Sequence, residues 1–511
     1  MSGMGARDPR SAFLLWGGAS IALGITVTFL LILGEFRLLV LLMLIFLGLL
    51  CLSPRRGVYI LTIFLPFMYY LRRSVLVFEE FSSFDPIILF PMIMSVAIFA
   101  GLILFNGRTI FYYLKRSIVL KASGLLMVLY ALQMVNPLQG NLLLGLFGGL
   151  FFLAPMMWLP IGLLITRDDV IRIIKIVIVI GVITAMYGLS QHYFGLSDVE
   201  KYELRAKEFY KIIGAGDQTV RIISTFSSFT DFARYLTFAG LLAFAMSYRT
   251  RVWLGGASLL LLMLYAMFFT ASRTSFLVIL FSMAMYLLAF SRNKRQIAVQ
   301  GFLLIVVVVS LYAYMSQYDP KRVYSQQFSD DAFLVHTASG MSHPLQEDSF
   351  LGRLKAWRLV VLGSLSNPFG HGVGSTTHIA GRFPGGLYFE VDSLFFELFF
   401  GSGILAPILF IVIAVTITKI VVGKCLEFPD DNIYKVSFAL LCGAFLSSVF
   451  GITARDFICG PLMWLLIGWL VRDHVDGAVA ARVAQPASAA TWPPAVAARV
   501  TGGVARTSGR A

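Results

Sequence analysis

Apolar runs close to the ~20 residues needed to cross a bilayer recur along this chain, and they constrain its fold more than any other feature. In hydrocarbon every backbone N–H and C=O needs a partner within the protein, so such runs are helices or strands of a closed barrel. A barrel needs alternating segments of about ten residues. Ile305-Val-Val-Val-Val309 does not alternate. The chain is 58% hydrophobic and 13% charged. Soluble domains run nearer to about 45–50% and about 25%. The expected fold is all-α, a polytopic transmembrane helical bundle.

Fourteen runs qualify as spans, at roughly 12–33, 36–52, 57–71, 86–105, 118–135, 142–166, 173–195, 232–248, 253–270, 274–290, 299–316, 394–418, 435–452 and 457–471. Arg7 and Arg10 precede the first run without a small-residue cleavage site, so the run reads as a retained span. With the N-terminus inside, the inner connections carry Arg55 and Arg56, Arg108, Lys115 and Arg116, Arg167 and Arg172, Arg249 and Arg251, Arg292, Lys294 and Arg295, Lys419 and Lys424, and Arg472. Basic residues collect in cytoplasmic loops, which orients the bundle and accounts for the formal charge of +14 without nucleic acid. Both termini are then cytoplasmic. The exception is Arg72-Arg73, on the outer side ahead of Glu79-Glu80.

Four parts follow: a bundle over 1–316 with an outer loop at 196–231, a large outer loop at 317–393, further spans over 394–471, and a basic tail over 472–511 expected to be disordered. Loops this long are functional or disordered. Within the larger one, Leu351 to Leu362 has the pattern of an amphipathic helix lying at the membrane surface. Leu351, Leu354, Trp357 and Val361 share its apolar face, with Arg353 and Lys355 off it. The four cysteines form no disulfide or zinc pattern, and no nucleotide-binding or metalloprotease motif is present.

Chemistry is concentrated near the outer membrane boundary. Thr270-Ala-Ser-Arg-Thr-Ser275 joins two apolar runs with almost no loop, which puts Arg273 at the boundary. A charge there is costly unless it faces a wet or protein-lined cavity. The alternative is a cation snorkelling to lipid headgroups. Arg221 lies just before a span and Arg353 in the loop helix, on the same side. Guanidinium groups stay charged and grip phosphate bidentately, so a converging set would hold a diphosphate. Glu390 and Asp392 precede a span, where a carboxylate serves as general base or pairs with an arginine. Gly370-His-Gly-Val-Gly-Ser375 is a tight glycine turn that carries His371.

Taken in order, these segments resemble the O-antigen ligase and O-antigen polymerase superfamily. The likeness runs from Arg221 to about Ile408: the arginine stretch to Tyr235, the Ser272-Arg273 turn, Gly352-Arg353 with Trp357, Asn367 to Ser375, and Asp392-Ser-Leu-Phe-Phe-Glu397 to Gly403. The resemblance implies a C-type glycosyltransferase architecture with a large, partly helical periplasmic loop, in the bacterial inner membrane. It implies a metal-independent inverting glycosyltransferase without cofactor, drawing on a polyprenyl-diphosphate-linked glycan donor and a glycan acceptor. Arg221, Arg273 and Arg353 would bind the diphosphate. Asp392, His371 or Glu390 would be the base.

Ligases commonly begin the last motif with His-Asn, where this chain has Asp392-Ser393, which favours a polymerase of repeat units for O-antigen, capsule or exopolysaccharide. The alternatives are a ligase passing glycan to lipid A core or protein, and a flippase for lipid-linked oligosaccharide. A flippase fits fourteen spans, but its ionisable groups belong at midmembrane, and no repeat relates the halves. The resemblance also admits a chain-length regulator or other polysaccharide-assembly proteins as partners, besides membrane lipid.

Overall fold

A computed structural model describes residues 54–76, 86–201, 221–248, 250–290, 348–376 and 391–484, and five single positions between 295 and 310. The described residues are helical, with no strand among them. In chain order the α-helices are α1 (Pro54–Phe64), α2 (Met68–Leu76), α3 (Pro86–Arg116), α4 (Ile118–Gln133), α5 (Leu142–Met156), α6 (Trp158–Gly162), α7 (Arg167–Phe194), α8 (Phe229–Ser247), α9 (Trp253–Phe268), α10 (Arg273–Phe290), α11 (Asp348–Ser366), α12 (Leu394–Ser402), α13 (Leu405–Glu427), α14 (Asn432–Phe450) and α15 (Cys459–Ala484). The chain is a polytopic helical membrane protein. Among the described residues, five stretches are long and apolar enough to span: Phe90–Arg116, Leu142–Gly162, Arg167–Phe194, Leu405–Glu427 and Asn432–Phe450. Helices α4, α9 and α10 are shorter but equally apolar. The expected spans at 12–33 and 36–52 lie outside the described residues, as does nearly all of 299–316.

Several expected boundaries shift for local reasons. The run at 57–71 is broken by a 3-10 turn at Leu65–Phe67, where Pro66 lacks an N–H to give the helix. The run at 394–418 divides at Gly403, whose φ of 78° a side-chain-bearing residue resists, so α12 is a separate short helix before the span α13. Helix α15 continues to Ala484, into the stretch expected to be a disordered tail, because Ala478, Ala480, Ala481 and Ala484 are strong helix formers.

Helix α11 covers the expected amphipathic segment but packs a different face. Val360 and Ser364 are fully buried, and Arg353 and Trp357 lie partly buried along the same line. Leu354, Leu359, Leu362 and Leu365 are exposed. A helix lying at a membrane surface, as the pattern here predicts, keeps leucines outward and can give its polar line to the protein.

One end of the bundle is stapled by charge. Arg55 meets Asp169 at 2.9 Å, Arg167 meets Asp431 at 2.7 Å, and Lys424 meets Asp473 at 3.1 Å. Tyr113 donates to Asp476 at 2.9 Å, and Arg472 donates to the Ile165 carbonyl at 2.8 Å. Thr166 and Asp169 form a reciprocal capping box that starts α7. Lys and Arg collect at this end, so by the charge rule it is called the inner end and the opposite one the outer. The apolar middle holds Trp158 and Trp464, both almost fully buried.

Candidate functional site

At the opposite, outer end the chain leaves helix repeatedly. Residues 221–228 form an irregular segment ahead of α8, and the Ile222 N–H donates to the Phe269 carbonyl at 3.3 Å. That bond lays Arg221 against the turn that carries Arg273. The turn is set by Ala271, at a left-handed φ of 52°, and by Ser272 and Ser275, whose hydroxyls lie 2.9 Å apart. Arg273 then opens α10. The Arg221 guanidinium sits 4.3 Å from the centre of the Phe229 ring, a cation–π contact. Burial lowers its pKa to about 10, a measure of how much water the group has given up. It remains cationic at neutral pH.

Arg353 and Asp392 are brought together. Arg353 Nε lies 3.4 Å from Asp392 Oδ2, with the side chains 35% and 55% exposed. The pair is fixed by the packing behind it: Trp357 stacks on Phe396 at 4.8 Å and meets Phe450 at 6.2 Å. The Leu394 N–H donates to the Gly451 carbonyl at 2.8 Å, which pins the start of α12 to the end of α14. Helices α10 and α14 run antiparallel, with Tyr286 donating to Asn432 at 2.7 Å and Ser282 against Gly443. These contacts put Arg273, at the start of α10, beside the last two turns of α14, which end at Phe450. Arg221, Arg273 and Arg353 therefore share one rim of the bundle.

His371 is held elsewhere on this end. Its ring stacks on Phe400 at 4.2 Å, and Nδ1 lies 3.3 Å from the Phe400 carbonyl. A carbonyl only accepts, so this contact puts the ring proton on Nδ1 and leaves Nε2 as the acceptor. His371 neighbours Gly363, ten residues along α11 from Arg353, or about 15 Å at 1.5 Å per residue. The glycine turn is seated by Gln133, which donates to the Phe369 carbonyl at 2.6 Å, and by Asn136, which donates to Gly370 at 3.0 Å. A Cβ on Gly148 would stand 2.5 Å from the Gly374 Cα, so the turn rests directly on α5. Glu390 lies outside the described residues.

The sequence reading passed over a second polar group on this end. Glu397 and Arg455 form a buried ion pair at 2.5 Å. Glu397 Oε2, Arg455 Nε, Ser393 Oγ and Thr376 Oγ1 are buried with no hydrogen-bond partner. Ser393 occupies the N-cap of α12 without capping it. Ser393, Glu397 and Gly401 fall at i, i+4 and i+8 on one face of α12, and Gly401 lies beside Thr376. A cavity of about 10 Å³, room for one water, adjoins Arg455 and Leu394. Arg234 pairs with Asp231 at 2.9 Å. Asp456 accepts from the N–H groups of Ile458 and Cys459 at 3.2 and 3.3 Å. Burial, the largest influence, and nearby Asp231 push its pKa up to about 6, against the pull of Arg234. The signal for Arg455 was available: Thr453-Ala-Arg-Asp456 joins two apolar runs with almost no loop, as the Arg273 turn does.

This end can therefore hold an anion with several oxygens. The described residues contain no group of three His, Cys, Asp or Glu side chains placed to hold a metal ion. No curated protein matches the chain. The stretch that begins within α9 and ends within α13, and so contains Arg273, Arg353, His371 and Asp392, is similar to a known family: residues 258–411 match the O-antigen ligase (Wzy_C) family model.

Proposed function

We propose that this protein polymerises lipid-linked polysaccharide repeat units at the outer face of the bacterial inner membrane. Members of the matched family are glycosyl-transferring ligases and polymerases, which work on lipid-linked glycans. The observation that carries the reading is the shared rim of Arg221, Arg273 and Arg353, contributed by three separate segments.

In this mechanism the three guanidinium groups grip the diphosphate of a polyprenyl-linked donor. The acceptor hydroxyl oxygen attacks the anomeric carbon from the face opposite the diphosphate. The C–O bond to the diphosphate breaks, and its electron pair stays on the departing phosphate oxygen. The hydroxyl proton passes to a carboxylate or imidazole. Fixed cations aimed at the developing charge stabilise this transition state without reorganising. Asp392 is the favoured base because it stands beside Arg353, whereas His371 lies about 15 Å further along α11. Helix α11 shields the reacting carbon from water, which competes as acceptor.

The second reading is a ligase, favoured by the description of the matched family and opposed by Asp392-Ser393 in place of His-Asn. Gene deletion separates the two. Single repeat units on the final acceptor mark a polymerase. Long chains stranded on the lipid carrier mark a ligase. Unchanged glycan in the deletion strain overturns both.

A further inference from the structure

Arg72 and Arg73 are the exception to the charge asymmetry of the sequence, two cations on the outer side. Both are buried, and Arg73 is 1% exposed. A buried guanidinium so far from bulk water is costly unless its donors are used. Arg73 Nη1 donates to the Ser224 carbonyl at 2.5 Å, and Nη2 donates to the Phe226 carbonyl. Glu200 Oε1 stands 3.8 Å from Arg73.

These contacts belong to a larger clamp on the segment that carries Arg221. Gln191 Oε1 accepts from the N–H groups of Ile223 and Ser224 at 3.2 and 2.7 Å. Gln191 Nε2 donates to Glu200 and, at 3.3 Å, to the Ser224 carbonyl. Glu200 is held in turn by the Tyr187 hydroxyl at 2.9 Å and by Ser197, whose N–H and hydroxyl donate at 2.8 and 2.9 Å. Ser224 Oγ donates to the Thr184 carbonyl at 2.7 Å, and Thr225 Oγ1 donates to the Pro66 carbonyl at 2.7 Å. At the centre, Ser224 has a φ of 51°, a left-handed conformation that is strained for a non-glycine residue. A strained segment tied by α1–α2, α7 and Glu200 at once has its geometry imposed on it. The residue it delivers is Arg221, three positions away.

We infer that Arg73, Gln191 and Glu200 form a positioning unit that sets the Arg221 guanidinium for a diphosphate. The inference rests on the reading of Arg221 as a diphosphate ligand. The three residues act through Arg221 and do not touch the substrate.

The test is a double-mutant cycle on the full chain in nanodiscs, with undecaprenyl diphosphate as the binding probe. Arg221→Ala and Arg73→Ala each weaken binding about 10- to 100-fold, the loss expected when charge-assisted hydrogen bonds go. The double variant is no weaker than Arg221→Ala alone, because a residue that acts through another adds nothing once that other is gone. Arg73→Lys, which keeps the charge and reaches one carbonyl, recovers part of the affinity. Additive losses in the double variant overturn the inference, as does full affinity in Arg73→Ala. Tyr187→Phe is the milder variant should Arg73→Ala fail to fold. It removes one partner of Glu200 and lowers affinity several-fold in the wild type but not in Arg221→Ala; an equal drop in both overturns the inference. If Arg221→Ala itself binds the probe normally, the diphosphate reading fails, and the failure is then distinct from that of the clamp.

Discussion

The two ends of this bundle differ in backbone as much as in charge. Every described residue with a left-handed φ lies at the outer end: Gly140, Gly195, Ser224, Ala271, Gly370, Gly372 and Gly403. At the inner end helices start and stop on ordinary caps, such as Ser117, Thr166 and Asp431. Inner ion pairs join neighbouring helices, and two of their aspartates, Asp169 and Asp431, also cap helices. Two outer ion pairs, Arg353–Asp392 and Glu397–Arg455, tie a helix to an irregular segment, and the second leaves Glu397 Oε2 and Arg455 Nε without hydrogen-bond partners. Strain and buried unsatisfied polar atoms gather where a protein has work other than folding. The inner end reads as a staple and the outer end as a site.

The largest expected effect tests the outer half of that contrast. Arg273→Ala lowers chain extension about a thousandfold or more, in the range seen when a fixed donor to a developing anion is lost. Protein level and membrane insertion are unchanged, because the residue follows a turn that Ala271, Ser272 and Ser275 build without it. Glycan ladders beside membrane immunoblots measure both. A normal ladder removes the site.

Next comes the buried pair. Glu397→Ala removes the carboxylate that Arg455 pairs with among the described residues and leaves a buried charge uncompensated, at a cost of about 3 kcal/mol or more. Thermal unfolding in detergent shows it as the largest loss of melting temperature among single outer-end variants. Replacing Glu397 and Arg455 together by Leu and Met recovers most of the loss, because a pair removed whole leaves no orphan. A double variant as unstable as Glu397→Ala would show that the pair's hydrogen bonds, and not the orphaned charge, set the cost.

Much of this was legible in the sequence, and what was not has a physical reason. Hydropathy places helices well because lipid leaves the backbone no alternative. Arg273 was singled out because a cation between two apolar runs has nowhere to go but the boundary. Arg353 and Asp392 were found as separate candidates, and their pairing depends on the Trp357–Phe396 stack, which links segments about 40 residues apart. On α11 the expected apolar face divides: Leu354 is exposed, as a helix lying at a membrane surface allows, whereas Trp357 turns to the protein and stacks on Phe396. Glu397 sits inside an apolar run, Leu394 to Phe400, where a lone carboxylate reads as an interruption until Arg455 is seen against it.

A smaller effect sharpens the comparison through pH. Asp456 lies in the turn before α15, and its folded pKa is about 6 against an ordinary 3.8. The folded state therefore holds this proton more tightly than the unfolded chain does. Stability from it is complete below about pH 4 and is lost as pH rises towards 6. Asp456→Asn keeps the cap on Ile458 and Cys459, since Asn caps as well as Asp, and removes the charge. The variant should lose part of the fall in melting temperature between pH 4 and pH 6.5. A slope identical to wild type would mean that Asp456 is already ionised throughout.

The smallest effect is the control at the inner end. Arg167 pairs with Asp431 at 2.7 Å, yet its side chain is 56% exposed. Exposed pairs are worth about 0–1 kcal/mol. Arg167 also sits in the first turn of α7, where a cation opposes the helix dipole, so its removal relieves some repulsion. Asp431 keeps its hydrogen bond from the Ile433 N–H and is not orphaned. Arg167→Ala should therefore shift melting by no more than a few degrees and leave chain extension at wild-type rate. Were this substitution to abolish extension without unfolding the protein, the inner end would be part of the machinery, and the division of the bundle into staple and site would fail.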